Sequence, residues 1–591
     1  MTSFESSEDE RATPVRLLSD TRATGAPSFG WLRTTAVTIS LAPAAYVIVT
    51  TLLMIITGWS PVPFWDHWDL LIFSPERIFS RWLFAQDNEH REVALKLILA
   101  IDTFLFAGTG KFALFCNVAF PAALAGVLVR LAHRHISRDW VDTLWMAGLV
   151  ATLLFSAMQF ENLLLPIQPA YLEIGLAAAG CFACLALGRH GLTTLTLAIG
   201  LEAIAVYSAA NGMLVPLLAI PLALWAGRSK TEVAVLGLAF IILLGSYLNG
   251  YVTPFGHSDP LQTIFQPAVI AYVALQLGAP IALPLFDMGH PGWLAAGLAL
   301  GGFGLVLLGS MTIILLRRHR DTRNVQLVLL ALAVFGVGTA VLIALGRLRF
   351  GLVHALSSRY TSVVLLFWVS LTLLLITEIW RRRPNLRLAA VVLSLPLLMA
   401  IALQQTNFVY RGAAYVALRR EAAPALLANV YDEAVFRKIY PDPSRVAQLA
   451  PKLRAQHLTL FAEPWSDWLG TPLADHVQLT EGVRCRGAVE AVSALPGSAR
   501  GEARLTGWAS DATDQALDGI VITDNAGTVV GYGIGGFTAN KDAPPNTGWH
   551  GYFAATADDS LTVYAMLDER RAACFFGRLL REAEHSTHPV N

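Results

Sequence analysis

The sequence predicts a polytopic α-helical membrane protein of about 11 spans, followed by a C-terminal extracytoplasmic α+β region that ends in a small β-sandwich. Three observations carry this. Of 591 residues, 55% are hydrophobic and only 15% are Asp, Glu, Lys or Arg, where soluble domains carry roughly 25% charged residues. From Thr35 to about Thr406 the chain is a series of apolar runs of about 15–24 residues, and a spanning helix needs about 20 because backbone groups in lipid must be bonded internally. Beyond that point charged residues return, and then a period-two pattern broken by turns. With 43 basic and 43 acidic residues the net charge is zero, which argues against nucleic acid as a partner. Five Cys are too few for a disulfide scaffold or a Cys-rich zinc module.

The elements follow in order. Met1–Thr34 is a polar tail, too long and acidic for a signal peptide, so the first run, Thr35–Thr57, reads as an uncleaved span. Lys and Arg collect on the cytoplasmic side. They cluster at Arg130, Arg134 and Arg138; at Arg228 and Lys230; at Arg317, Arg318, Arg320 and Arg323; and at Arg381, Arg382, Arg383 and Arg387. Placing every cluster inside gives spans near 35–57, 112–131, 143–160, 169–187, 192–208, 212–227, 232–250, 293–316, 325–346, 360–379 and 388–405. The N-terminus is then cytoplasmic and the C-terminus extracytoplasmic. Glu92–Gly108 and Gln266–Phe286 read as interfacial or re-entrant helices on the outer side, because counting either as a span would put an Arg cluster outside. The expected divisions are a cytoplasmic tail (1–34), a transmembrane domain (35–406) with its first outer loop at 58–111, a helical outer linker (407–480) and the sandwich (481–591). Candidate strands are 502–509, 518–523, 528–534, 549–555, 560–567 and 571–577, with a hairpin turn at Asp524-Asn525-Ala526-Gly527.

The first outer loop is the most informative stretch. It reads Trp65-Asp66-His67-Trp68-Asp69, and about twenty residues later Gln86-Asp87-Asn88-Glu89-His90-Arg91. Ionisable groups beside a membrane are costly and tend to line a pathway or a site. The aromatics anchor the loop at the interface and offer faces for a sugar ring. A solvated, aromatic-belted loop explains the same spacing. Asp66 and Asp69, three apart, share a helical face and repel. This raises the pKa of one of them and makes it a better general base near neutral pH. Asp66, Asp69 and Glu89 also suit a divalent cation through oxygen ligands, and spacing does not separate the two roles.

From Asp66 to about Arg134 the chain resembles the GT-C class of membrane glycosyltransferases, whose members include protein O-mannosyltransferases and lipid A aminoarabinose transferases. The resemblance rests on the acidic loop start Trp65-Asp66-His67-Trp68-Asp69, a juxtamembrane helix at His90–Phe106, the turn Ala107-Gly108-Thr109-Gly110-Lys111-Phe112, and a span ending in Arg130-Leu131-Ala132-His133-Arg134. Asp-Asn-Glu-His-Arg stands where some members have His-Pro-Pro-Leu or Lys-Pro-Pro-Leu. The resemblance covers the first third of the chain and extends to the remaining spans only by layout. It implies an inverting transfer of a sugar from a polyprenyl-phosphate carrier to an acceptor in the cell envelope (glycan, lipid or protein), in a bacterial inner membrane. By carry-over Asp66 is the first choice of base, Asp69 the second, and Glu89 a helper or metal ligand.

The leaving phosphate needs a cation, and three arginines break the inside rule: Arg347, Arg349 and Arg359, the last beside Tyr360. The planar Arg fork suits phosphate, and interface arginines also snorkel to lipid phosphates. Gln159-Phe160-Glu161-Asn162 stands at the outer end of the third span. The expected substrate-binding set is therefore Trp65, Glu89, His90, Arg91, Glu161, Arg347, Arg359 and Tyr360. Lys96 is expected to pair with Glu92 at i, i+4.

Several motifs are expected to be structural. Gly531-Tyr532-Gly533-Ile534-Gly535-Gly536 fits GxGxxG but lies in a strand and opens no helix. Cys181 and Cys184 form a lone CxxC within a span and read as core. Cys485 and Cys574 flank the sandwich as a candidate disulfide. His457 and His550 read as surface or packing residues, and Trp508, Trp549, Tyr552 and Phe553 serve either as sandwich core or as carbohydrate stacks. Two rival functions stand beside the transferase. A secondary transporter calls for paired broken helices in matching halves, and Glu202, in the fifth span, suits it or equally a contact with a neighbouring helix. An O-antigen ligase or polymerase calls for a large later loop.

Overall fold

The structure is a computed structural model. It describes residues 30–71, 75–253, 259–285, 291–318, 324–383, 386–480, 485–495, 501–517, 519–539, 543–554, 558 and 560–580. Most of the N-terminal tail, Arg320 and Arg323 lie outside them. Among the described residues, nine helices are long and apolar enough to cross a membrane, and three shorter apolar helices accompany them. The chain is a multi-pass membrane protein with a C-terminal β region.

Helix α1 (Gly30–Thr57) leads into the short α2 (His67–Leu70) and α3 (Val93–Phe106). Then follow α4 (Lys111–His135), α5 (Trp140–Leu154), α6 (Phe160–Leu164), α7 (Pro169–Leu187), α8 (Leu192–Val206), α9 (Leu214–Ala226) and α10 (Lys230–Leu248). After α11 (Pro260–Thr263) come α12 (Pro267–Leu285), α13 (Trp293–Leu316), α14 (Asn324–Arg347), α15 (Thr361–Arg382) and α16 (Arg387–Leu427). The helix expected over 143–160 stops at Leu154 and resumes as α6, with Ser156 capping the turn between them.

Charge marks one end of the bundle. Glu378 on α15 accepts from Arg318 at 2.6 and 2.7 Å, from Gln326 at 3.3 Å and from Arg381 at 3.1 Å, and it also pairs with Arg382. Arg228 closes the end of α7 by donating to the carbonyls of Cys184, Leu185, Gly188 and Arg189. These are the carbonyls a helix C-terminus leaves unsatisfied. Asp142 is bonded by Ser137 and Arg387. Arg228, Arg318, Arg381, Arg382 and Arg387, described members of the basic clusters, are thus held at helix ends away from the first loop.

Helix α3 explains its own placement. It buries Leu95, Lys96, Ile98, Leu99 and Asp102, and exposes Leu97, Ile101, Phe104 and Leu105. An apolar exposed face on a 14-residue helix suits an interface better than water. The Asp102 carboxylate then accepts from the backbone N–H of Gly110 and of Phe112, both at 2.7 Å. This satisfies orphan donors at the start of α4. The turn requires φ of +68° at Gly108 and +80° at Gly110, where a side chain would be strained.

Helices α12 and α13 pack backbone to backbone. A Cβ at Gly278 would lie 1.9 Å from the Gly297 oxygen, and one at Gly301 would lie 1.7 Å from the Ala274 oxygen. Small residues let helices approach this closely, which maximises dispersion contact where no hydrophobic force acts. The opposite side of α12 faces the connection between α14 and α15 through Gln276, Ala279 and Leu283.

The helix expected to end near 405 continues to Leu427, so the division expected at 406/407 falls inside one 41-residue helix. A helix this long extends about 60 Å at 1.5 Å per residue. Its far half meets α17 (Glu433–Ile439), α18 (Pro443–Ala455) and the sheet.

The strands are β1 (Gln478–Thr480), β2 (Cys485–Ala494), β3 (Ala503–Asp511), β4 (Gly519–Thr523), β5 (Val529–Phe537), β6 (Gly548–Phe553), β7 (Ser560–Leu567) and β8 (Ala572–Leu580). They form one hydrogen-bonded sheet in the order β1-β8-β7-β4-β5-β6-β3-β2, antiparallel except for β1 against β8. β1 and β2 were not expected from the sequence. β1 is three residues long, and β2 is a largely exposed edge with weak alternation. The sheet curls until β2 meets β8, and Cys485 and Cys574 are joined by a disulfide there. Leu505, Ile520, Ile522, Trp549 and Val563 fill the inside of the curl, while Val521, Tyr532, Tyr552 and Met566 pack on the helical region. Both faces are buried, which is why β4 carries no polar alternation. Asp432 ties the layers together by accepting from Tyr552 at 2.7 Å and pairing with Arg504.

Candidate functional site

The loop after α1 is held from outside itself. The backbone N–H of Trp65 donates to the Ile439 carbonyl at 2.8 Å. Trp65 takes φ of +51°, a left-handed conformation costly for a bulky residue. It persists where surrounding contacts over-determine it. The turn projects Asp66 into a cavity of about 110 Å³ that it shares with Trp65, Glu92, Glu161, Tyr171, Arg359 and Tyr415. Asp66 and Arg359, 293 positions apart in the chain, thus face one cleft.

Asp66 and Asp69 have different fates. Asp69 accepts from the Tyr440 hydroxyl at 2.5 Å and from Arg445 Nε at 3.2 Å, so it latches the loop to the C-terminal region. The Asp66 carboxylate makes no hydrogen bond or ion pair among the described residues. It keeps solvent access through the cavity mouth, yet protein atoms crowd it on most sides. This crowding first, then the Asp69 charge, raises its pKa above the usual carboxylate range, against the pull of Arg359. The second-choice base, Asp69, is thus engaged by two side chains, where Asp66 is open. His67 faces inward, and burial together with Arg419 lowers its pKa to about 4, so it is neutral.

Glu89, His90 and Arg91 diverge. Glu89 pairs with Arg347 Nη2 at 2.5 Å. His90 accepts through Nδ1 from the Ala210 N–H at 3.1 Å. That places the neutral ring's proton on Nε2, 3.0 Å from the Tyr171 hydroxyl. The Tyr171 hydroxyl proton is then directed away from His90. Arg91 is buried and donates to the carbonyls of Tyr247, Phe84 and Asn249. It clamps the loop to α10, with Nε, Nη1 and Nη2 each donating to a backbone carbonyl. The expected Lys96–Glu92 pair is not formed. Lys96, fully buried, pairs with Asp87 and donates to the carbonyls of Trp82 and Ala85. Glu92 turns toward the cavity, and burial followed by Asp87 and Asp66 raises its pKa well above the ordinary value.

A second cavity of about 310 Å³ adjoins the first at Arg359 and Tyr171. Glu89, His90, Asn211, Arg347 and Tyr360 form its polar end, and Leu342, Ile343, Leu345 and Val363 its apolar wall. Arg359 is steadied by Ser357 Oγ at 3.3 Å and Glu161 at 3.7 Å, and its own carbonyl accepts from Asn162 at 3.0 Å. The Gln159–Asn162 stretch therefore supports the arginine segment. Glu161 and Tyr360 also line a third cavity, of about 480 Å³.

The oxygen ligands weighed for a divalent cation do not converge, since Asp69 is tied to Tyr440 and Arg445 and Glu89 to Arg347. Among the described residues no group of three His, Cys, Asp or Glu could hold a metal. The remaining motifs are structural. The GxGxxG stretch lies in β5, where a Cβ at Gly531 would lie 2.3 Å from the Tyr552 oxygen on β6. Trp549, Tyr552 and Phe553 are buried core, not exposed stacking faces, and Trp508 is half-buried. His550 stacks on Phe537, and His457 pairs with Asp467. Cys181 contacts the buried Glu202 at 3.8 Å.

Glu92, Tyr171 and Tyr415 were missed as cavity residues. For Tyr171 the available signal was a polar aromatic in the first turn of an apolar span. Comparison with protein-family models, curated proteins and solved structures finds no match to this chain.

Proposed function

We propose that this protein is a membrane glycosyltransferase of GT-C type, moving a sugar from a polyprenyl-phosphate carrier to an extracytoplasmic acceptor with inversion. One observation carries the reading: Asp66, open and with a raised pKa, lines one cleft with Arg359, which also lines an amphipathic cavity with Arg347. The carrier's phosphate sits between the two arginines, with its chain along the apolar wall of α14 and α15. Asp66 takes the proton of the acceptor hydroxyl. The hydroxyl oxygen bonds to the anomeric carbon as the bond from that carbon to the phosphate oxygen breaks. Arg359 and Arg347 stabilise the charge that returns to the leaving phosphate.

In this reading α1, α4, α5, α7, α8, α9, α10, α13, α14, α15 and α16 make eleven crossings, with α3 and α12 lying on the outer side. The basic end is cytoplasmic and the sandwich-like sheet extracytoplasmic, in a bacterial inner membrane. The Cys485–Cys574 disulfide fits an oxidising compartment. The test is label transfer from a polyprenyl-phosphate hexose or pentose to envelope material in vesicles. Wild type should transfer, and Asp66→Asn, inserted and folded alike, should transfer at least about a hundredfold more slowly. Absence of any envelope change on deleting the gene would refute the proposal.

A further inference from the structure

We propose that the third cavity, between α12 and the α14–α15 connection, is a second lipid site that takes a neutral-headed membrane lipid bearing hydroxyl or amide groups, and that this lipid is the acceptor. Only the word acceptor rests on the transferase reading; the binding does not.

At about 480 Å³ the cavity is of a size that holds a ligand. Met158, Leu283, Phe350, Val353 and Phe408 make an apolar wall. Phe350 and Val353 are 50% and 58% exposed, so the cavity has an open, apolar side that suits acyl chains. Gln276 stands inside. It is 2% exposed, and neither its amide nitrogen nor its amide oxygen has a partner among the described residues. His354 Nδ1 in the same lining is likewise buried without a partner. Burying a primary amide unsatisfied is strongly unfavourable, and native proteins rarely do it. A group that donates and accepts at one point, as a hydroxyl or an amide does, completes Gln276.

Charge separates this cavity from its neighbour. Its lining holds one carboxylate, Glu161, and one guanidinium, Arg411, whereas the second cavity holds Arg347 and Arg359 against Glu89. The phosphate carrier therefore belongs in the second cavity and an uncharged head here. Glu161 borders both this cavity and that of Asp66, so the two cavities adjoin at that residue.

The test uses the full chain in vesicles of phosphatidylethanolamine and phosphatidylglycerol, doped with diacylglycerol carrying a diazirine on its acyl tail. A parallel arm carries diazirine-tailed polyprenyl phosphate. After irradiation, diacylglycerol adducts are expected on peptides holding Leu283, Val353 or Phe408. Gln276→Leu should lower them about five- to tenfold, the worth of one or two hydrogen bonds. Val353→Trp, at the mouth, should lower them similarly. Leu238→Trp, on the exposed face of α10, should not. Adducts spread evenly over lipid-facing helices, adducts indifferent to both variants, or preferential capture of the polyprenyl phosphate here would overturn the proposal. Site-specific adducts in a protein that transfers no sugar would leave the lipid site standing and remove the transferase reading.

Discussion

Asp66 and Asp69 lie one helical turn apart and accept the same isosteric change, so comparing Asp66→Asn with Asp69→Asn isolates the role of each. A positioned general base contributes about 10²–10⁴-fold, or about 3–5 kcal/mol. Asp66→Asn should cost that much in kcat/KM. Asp69→Asn keeps an oxygen for the Tyr440 hydroxyl and loses only its charge toward Arg445. The side chains of that pair are 42% and 41% exposed, and exposed pairs are worth about 0–1 kcal/mol, so the loss should stay within about fivefold. The two variants should therefore differ by at least about twentyfold in transfer from a polyprenyl-phosphate sugar. The pH profile adds a sign. A base works deprotonated, so activity falls as pH drops through the Asp66 pKa, above the usual carboxylate range. Asp69 raises that pKa and Arg359 lowers it. Asp69→Asn should thus move the acid limb to lower pH, and Arg359→Gln to higher pH. Equal losses from the two Asn variants, or limb shifts of the same sign, would refute the assignment of Asp66 as base.

Three further outcomes are expected. Arg347→Gln removes one of the two arginines proposed to hold the phosphate and takes away the 2.5 Å Arg347–Glu89 pair. Transfer should fall about 10- to 100-fold, mainly through KM for the carrier, because a hydrogen bond to a charged group is worth about 1.5–3 kcal/mol. Replacing Cys485 and Cys574 by Ser opens a link across 89 residues. Loop-closure entropy sets an upper limit of about 4.6 kcal/mol on the loss, read by denaturant unfolding of the sheet's tryptophan signal. Gly301→Ala places a methyl 1.7 Å from the Ala274 oxygen. It should force α12 from α13 and cost about 1–3 kcal/mol of stability, read as a lower midpoint of thermal unfolding in detergent, whereas Gly302→Ala, which meets nothing within 4 Å, should leave the midpoint unchanged.

Sequence alone determined what is additive along the chain. Apolar transfer energy sums over some twenty residues, so the long apolar runs of a multi-pass membrane protein were legible without knowing any neighbour. Turn residues and period-two alternation located six of the eight strands among the described residues, and failed at β1 and β2, which are short or exposed edges. What only the tertiary structure decided is which polar group meets which. Asp69 is bonded to Tyr440 and Arg445, 371 and 376 residues away, and Glu89 to Arg347, 258 away. Local spacing favoured Lys96 with Glu92, but Asp87 reached Lys96 once the loop folded back. Arg91 reaches backbone carbonyls of Phe84, Tyr247 and Asn249, the last two more than 150 residues away, which no local pattern could show. A carboxylate's role depends on whether its partners arrive from elsewhere in the chain, because burial and pairing set its charge. Neither is a property of the segment that carries it.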